Sequence, residues 1–419
     1  MKNKKFKLSP AGKLTVVLSL ILTQSSICYA NGIVAGGDAA HRPDIYTTEN
    51  NVPIINIVTP SSDGVSHNQY DEFNVDRNGT IFNNSASNSS LGGGRGRSLS
   101  IEGNKNLQAS ADTSSLHGNP ARVILNEVIG SNDSILAGHQ QVIGNPTDYI
   151  LANENGISCD GCSFDPNFSQ VTLVVGKPVV DDGRLQEFDS TSNTNRMTIK
   201  NTREAYMAKV LTLITPTINA DSHIMATEAV NVIVGKNKFS KNNEIIHAGV
   251  SGSPDTLVDG YFLGSIAANR IRLHDTRQRN SLILQGNITA SEELDISAVE
   301  GTVRLKSDTL DGGSINIHAK DIIAEKDISS LIGGNNRSNY INMRGSTINI
   351  TARDNNQLTG VRVSGHNVSL KGSTLTIDGL AHEDNKIINS DKQGDGIGDK
   401  ITSQTASEKY FSEGLIRGY

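Results

Sequence analysis

The chain has 419 residues, no tryptophan, 4% aromatic residues, 40 glycines and a formal charge of −6. So few aromatics argue against a compact enzyme core, and an acidic balance argues against a nucleic-acid partner. Small polar residues with recurring Val, Ile and Leu fit a thin-cored β-solenoid, in which each coil buries its inner face only against its neighbours.

Residues 1–30 read as a secretory signal peptide. Lys2, Lys4, Lys5, Lys7 and Lys13 form a basic start, Leu14 to Leu22 an apolar stretch too short to span a bilayer, and Cys28-Tyr29-Ala30 a cleavage site. Cleavage after Ala30 removes five lysines and no acid, which lowers the formal charge from −6 to −11. No later segment has about 20 continuous apolar residues, so no integral helical membrane segment is expected after the signal is removed.

Residues 51–58 are β-rich and end in a turn at Pro60-Ser61-Ser62-Asp63-Gly64. Next come Phe73-Asn74-Val75 and Thr80-Ile81-Phe82, short strands around Asn78-Gly79, which reads as a hairpin-like turn. Residues 83–120, rich in Asn, Ser and Gly, read as a loop excursion. Gly92-Gly93-Gly94 lacks the Lys-Ser/Thr of a phosphate-binding loop. From Ala121 short β runs follow: Val123-Ile124-Leu125, Ser134-Ile135-Leu136, Gln141-Val142-Ile143, Tyr149-Ile150-Leu151 and Thr172-Leu173-Val174-Val175. Their spacing is too short for βαβ crossovers, and no long window has helical periodicity.

The cysteines beyond residue 30 are Cys159 and Cys162. An exported chain favours a local disulfide between them. Free thiols, or a metal or redox site, are the alternatives. Zinc lacks a second ligand pair, and a redox site lacks the strand–helix context. No metal site and no cofactor is therefore assigned.

The later half repeats. Leu282-Ile283-Leu284 recurs as Val303-Arg304-Leu305, and Leu294-Asp295-Ile296 as Ile315-Asn316-Ile317, both offset by 21 residues; Ile348-Asn349-Ile350 recurs as Val368-Ser369-Leu370 after 20. Each unit puts two apolar side chains on one strand face and a polar one on the other. A period near 20 is one coil of a parallel β-helix. An antiparallel sandwich is the competing architecture. Residues 381–419 read as a loose polar tail, in which Asp391, Asp395, Gly396 and Asp399 make a poor calcium loop and a better solvated turn.

Two runs carry a family resemblance: Gly64-Val65-Ser66-His67-Asn68-Gln69-Tyr70-Asp71-Glu72-Phe73-Asn74-Val75 and Asn153-Glu154-Asn155-Gly156-Ile157-Ser158-Cys159-Asp160-Gly161-Cys162-Ser163-Phe164. Together with Ala121 to Val128, Leu173 to Pro178 and Asp259-Gly260-Tyr261-Phe262-Leu263-Gly264-Ser265, they resemble, in order and spacing, the secretion domain of two-partner secretion exoproteins. That family includes filamentous haemagglutinins, contact-dependent inhibition proteins and haemolysins. The resemblance covers residues 1–275 and continues more weakly to about 380.

The resemblance implies an all-β fold, a right-handed parallel β-helix with an N-terminal cap. It divides the chain into a signal peptide (1–30), a secretion domain (31–275), β-helical rod repeats (276–380) and the tail. It implies a secreted, adhesin-, haemagglutinin- or haemolysin-type exoprotein of a Gram-negative bacterium. Such a protein passes through Sec and the periplasm to an outer-membrane β-barrel transporter, and a host or bacterial cell surface is its further partner. Asn68, Asn74, Asn153, Asn155, Gly156 and Ile157 are the residues assigned to the secretion motif. Turn stabilisation and direct recognition by the transporter are both open roles for the asparagines. Where the family has Asn-Pro-Asn, this chain reads Asn153-Glu154-Asn155 and Asn104-Lys105-Asn106, so proline stiffening of both turns is absent. The chain is short for the family, and a truncated gene, a fragment and a short family member are all open readings of that length. The alternatives are a β-helical polysaccharide-processing enzyme, which would need a cluster of acids on one face, and an inert remnant. No enzyme is expected: Ser66 and His67 point to opposite strand faces, and Asp181-Asp182 reads as a solvated turn.

Overall fold

The computed structural model describes residues 32–93, 97–108, 119–191, 195–203, 207–240, 245–248, 258–277, 280–325, 340–378, 401–403 and 409–412. The signal-peptide expectation for residues 1–30 and the candidate calcium loop lie outside them.

Parallel pairing runs through the whole stack of coils. Ile124 pairs with Tyr149, then Val171, Leu211, Val230, Ile271, Leu294, Ile315, Ile348 and Val368, one residue per coil. Two residues further along the same strands, Leu151, Leu173, Leu213, Val232, Leu273, Ile296, Ile317, Ile350 and Leu370 form a second ladder. Both ladders are buried. Strands alternate their side chains between faces, so a two-residue step keeps both ladders inside, and parallel stacking repeats the pattern in each coil. Another wall of the coil is built the same way, from Ile157–Asp160 through Arg196–Lys200, Thr217–Ala220, Gly260–Phe262 and Ser281–Leu284. The fold is a right-handed parallel β-helix, the sense that parallel crossovers take. Its register reproduces the sequence repeats: Leu282 lies on Val303, Leu294 on Ile315 and Ile348 on Val368.

Its N-terminal end is closed twice. Ile33–Ala35 pairs antiparallel with Val65–Phe73. A five-stranded sheet, in the order Ser163–Phe164, His139–Gly144, Thr80–Asn84, Pro53–Asn56, Asp44–Thr47, closes another side. A solenoid's first coil presents an open strand edge, and such covers prevent edge-to-edge pairing. Six of the chain's few aromatics fill the space beneath: Tyr70, Phe73, Phe82, Tyr149, Phe164 and Phe168, with ring centroids 4.8–6.3 Å apart. Later coils use aliphatic residues at the matching ladder positions.

Three expectations are corrected, and one sheet is new. Asn78-Gly79 does not join a hairpin. Val65–Phe73 pairs with Val123–Val128 and Thr80–Asn84 with His139–Gly144, both in parallel, so the turn is a corner between two walls of the coil. Residues 83–120 are not simply a loop. Ser89–Gly93 and Arg97–Ile101 pair antiparallel, Lys105–Leu107 forms a 3-10 turn, and Asn83, Asn84 and Asn104 are buried. In the tail, Ile401–Ser403 and Lys409–Ser412 pair antiparallel with Thr374–Asp378 and Asn367–Lys371. Finally, an unforeseen antiparallel sheet, Lys177–Asp181, Arg184–Asp189, Asn237–Ser240 and Ile245–Ala248, lies outside the coils. Its Phe188 and Phe239 cover Leu125, Ile150, Ala152, Val174, Ile214 and Ile233, which form a second apolar core. Asp181 and Asp182 stand at its first turn, where Asp182 and Gly183 have φ of 48° and 70°.

Candidate functional site: the capped first coils

Strand Val65–Phe73 is the first full rung, and two of its inward positions are polar. Ser66 and Asn68 are completely buried. Ser66 Oγ donates to the carbonyl of Val58 at 2.7 Å, and Asn68 Oδ1 accepts from the Val58 N–H at 2.9 Å. Together they satisfy both backbone groups of a residue in the covering segment, which no ladder partner serves. The Asn68 amide nitrogen donates to Ser66 O at 3.0 Å and Leu125 O at 3.4 Å, tying the cap to the second coil as well. Asn126, directly over Asn68, donates to Ile150 O at 3.1 Å and accepts from the Tyr70 hydroxyl at 3.0 Å.

Asn74 stands where the first coil turns its corner. Its Oδ1 accepts from Ile135 N at 2.8 Å, and its own N–H reaches Gly32 O at 2.7 Å. Asn153 grips the same strand one coil on: its Nδ2 donates to Ser134 Oγ at 2.9 Å and Asn132 O at 3.0 Å. The turn that follows is an Asx turn, with Asn155 N donating to Asn153 Oδ1 at 2.8 Å. Asn155 Nδ2 then reaches Gly130 O at 2.8 Å. Gly156 has φ of 121°, a region that glycine alone enters easily, and Ile157 is buried on the rung between Ser134 and Met197.

Four of the assigned residues, Asn153, Asn155, Gly156 and Ile157, thus make one turn. Asn74 joins it through the shared strand Ser134–Leu136, whereas Asn68 belongs to the inner ladder beneath the cap. Glu154 occupies the position of the family's proline. Its carboxylate pairs with Lys177 at 3.0 Å, and its carbonyl accepts from Asn195 at 2.8 Å.

The same device occurs at Asn104-Lys105-Asn106-Leu107. Asn104 Oδ1 accepts from Asn106 N at 3.0 Å, both side chains reach Ile57 O at 2.9 and 3.1 Å, and Leu107 is buried. Asn104, Asn106, Ser66 and Asn126 belong to the site. The recurring Asn-x-Asn spacing signals the first two; Ser66 and Asn126 look like ordinary strand residues until the rungs are stacked.

Beside the turn, Cys159 and Cys162 are joined by a disulfide with their Cα atoms 5.1 Å apart, and both are buried. On the outer face, Glu127 accepts from Gln69 at 2.9 Å and meets His67 Nε2 at 2.8 Å. Burial raises the Glu127 carboxyl, but the His67 and Gln69 hydrogen bonds outweigh it and hold it below the usual range. Ser66 and His67 therefore serve different partners on opposite faces. Among the described residues no group of three or more His, Cys, Asp or Glu is placed to hold a metal, and no helix is long and apolar enough to cross a membrane.

The TPS secretion domain family matches residues 31–305. A haemolysin of Proteus mirabilis is 36% identical over 387 residues, which is 90% of this chain and 23% of that protein. A haemolysin of Serratia marcescens is 35% identical, again over 90% and 23%. A 16S rRNA endonuclease CdiA of Enterobacter cloacae is 30% identical over 94% of this chain and 12% of its own length. This chain thus spans less than a quarter of the relatives it matches. Its coils are similar to a crystal structure of a filamentous hemagglutinin secretion domain, with a TM-score of 0.57 and 22% identity over 76% of this chain and 99% of that one.

Proposed function

Because this chain belongs to the two-partner secretion exoprotein family, we propose that its capped first coils are an export address read by a dedicated outer-membrane transporter. The carrying observation is that polar side chains of the first coils fix the backbone of the N-terminal end. Ser66 and Asn68 fix Val58, while Asn74 and Asn153 fix the strand Ser134–Leu136. In this reading the asparagines act by holding a surface in shape, since Asn68 and Asn153 are themselves buried. The protein is secreted from a Gram-negative cell through the periplasm, with residues 1–30 as its leader. Its further coils fold outside, where each new rung gains its apolar burial only after translocation.

For the whole protein we propose a haemolysin-type activity. The haemolysins share 36% and 35% identity, against 30–32% for the contact-inhibition toxins. The described coils are the delivery part of that protein, with no catalytic role assigned to them.

The test is export with a cognate transporter. Asn68→Ala and Asn155→Ala are expected to be retained in the periplasm, while Asn316→Ala and Asn349→Ala, whose side chains pair at 2.9 Å in the later coils, export normally. Equal export of all four would remove the address from these asparagines. Loss of all four would make the requirement one of global folding.

A further inference from the structure

Asp275 occupies a place that apolar side chains fill in the coils on either side. In the inner ladder it follows Thr215 and Val234. On the next coil Leu273 lies on Ile296 and His274 on Ser297, so Ala298 comes next in line, followed by Ala319 and Ala352. Asp275 is 4% exposed, and Asp259, at the entry to strand Gly260–Phe262, is 1% exposed. Arg277 meets both carboxyl groups, one through its guanidinium and the other through its backbone N–H, which brings the pair to one corner.

Two of their four carboxyl oxygens have donors. Asp259 Oδ1 accepts from Arg277 Nη1 at 3.0 Å and Asn280 Nδ2 at 2.8 Å. Asp275 Oδ1 accepts from Arg277 N at 2.9 Å. Asp259 Oδ2 and Asp275 Oδ2 have no donor among the described residues, and neither has Asn280 Oδ1. Arg277 supplies one positive charge, enough for one buried carboxylate and not for two.

We infer that one proton is shared between Asp259 Oδ2 and Asp275 Oδ2, making this coil corner a pH-sensitive clasp that is closed while the proton is held and sprung when both carboxyls ionise. The shared proton gives both oxygens a partner and leaves a single carboxylate opposite Arg277. Burial, and then the neighbouring charge of Asp259, pushes the Asp275 carboxyl up to about 8. Asp259 and Arg277 are the charged groups that act on it; Val234 and Ala298, from the coils on either side, carry none. In the unfolded chain both aspartates ionise near pH 4. Folding at neutral pH therefore takes up one proton from solvent, and it does so in the stretch that follows Asp259-Gly260-Tyr261-Phe262-Leu263-Gly264-Ser265. The sign is set by the folded state holding the extra proton. The pair's contribution to stability is full below about pH 4, falls as the pH rises, and levels off above about 8.

The test is urea unfolding of the full chain and of Asp275→Asn across pH 5.5–8.5. The amide of the variant still donates to Asp259 Oδ2 and does not titrate, and other titrating groups cancel in the comparison. The wild type is expected to lose roughly tenfold in its folding equilibrium per pH unit relative to the variant up to about pH 8. A difference that does not change with pH would overturn the shared proton. Should the variant fail to fold, infrared spectroscopy of the wild type decides. A protonated carboxyl carbonyl band present at pH 6 and lost above pH 8 supports the clasp, and its absence at pH 6 overturns it. Stabilisation of the wild type by added calcium, missing in Asp275→Asn, would assign the pair to a cation and overturn it likewise.

Discussion

Asn68 and Asn126 lie one over the other on adjacent rungs, at the ladder position that Leu151, Leu173 and Leu213 fill in the coils that follow. A polar pair in a leucine column is tolerated because every amide has a partner: Val58, Ser66 and Leu125 for Asn68, Tyr70 and Ile150 for Asn126. The chain gives up apolar burial there and gains a fixed attachment for its cap.

That exchange predicts the outcome of extending the leucine column upward. Asn68→Leu adds an apolar side chain but strips the Val58 N–H of its acceptor inside the fold. An orphaned buried donor costs about 1–3 kcal/mol, more than the added burial returns beside the polar Ser66. Urea unfolding of the full chain should show a lower midpoint with an unchanged slope. An unchanged or higher midpoint would mean that the cap is held by something other than this amide.

The disulfide should matter little to stability. Cys159 and Cys162 are separated by 3 in sequence, so the bond closes a very short loop and removes little entropy from the unfolded chain, about 2 kcal/mol at most. Reducing the bond should lower the melting temperature by only a few degrees. In the exported protein, mass spectrometry should find neither thiol alkylated until a reductant is added. Two alkylated thiols without reduction would contradict the pairing.

The outer sheet should be separable from the coils. Phe188 is buried against Val174 and Ile214 but belongs to the second core, which is distinct from the coil interior. Phe188→Ala should cost about 3–5 kcal/mol locally. Limited proteolysis should then cut within residues 177–189 while the β-sheet circular dichroism of the coils persists. Collapse of the whole spectrum at the same temperature would show that sheet and coils fold as one unit.

The apolar-polar-apolar unit and its 20–21-residue offsets determined the parallel register of the later coils, because a rung that meets its neighbour after a fixed contour length leaves that length in the sequence. The offset disappears where a coil carries an excursion: Val232 meets Leu273 after 41 residues and Ile317 meets Ile350 after 33, and period alone does not expose those rungs. Local turn chemistry was readable as turn chemistry only. Asn78-Gly79 and Asp182-Gly183 are both hairpin signals, yet only the second joins a hairpin, since the first has better parallel partners on the next coil. The Asn-x-Asn spacing marked the motif. Which amides turn inward, and that they serve a cap 10 residues away in the case of Asn68, was decided by stacking. The buried Asp259 and Asp275 were decided by tertiary structure alone. Sixteen residues apart, each reads as an ordinary polar residue until the coil closes and puts both carboxyls in one corner.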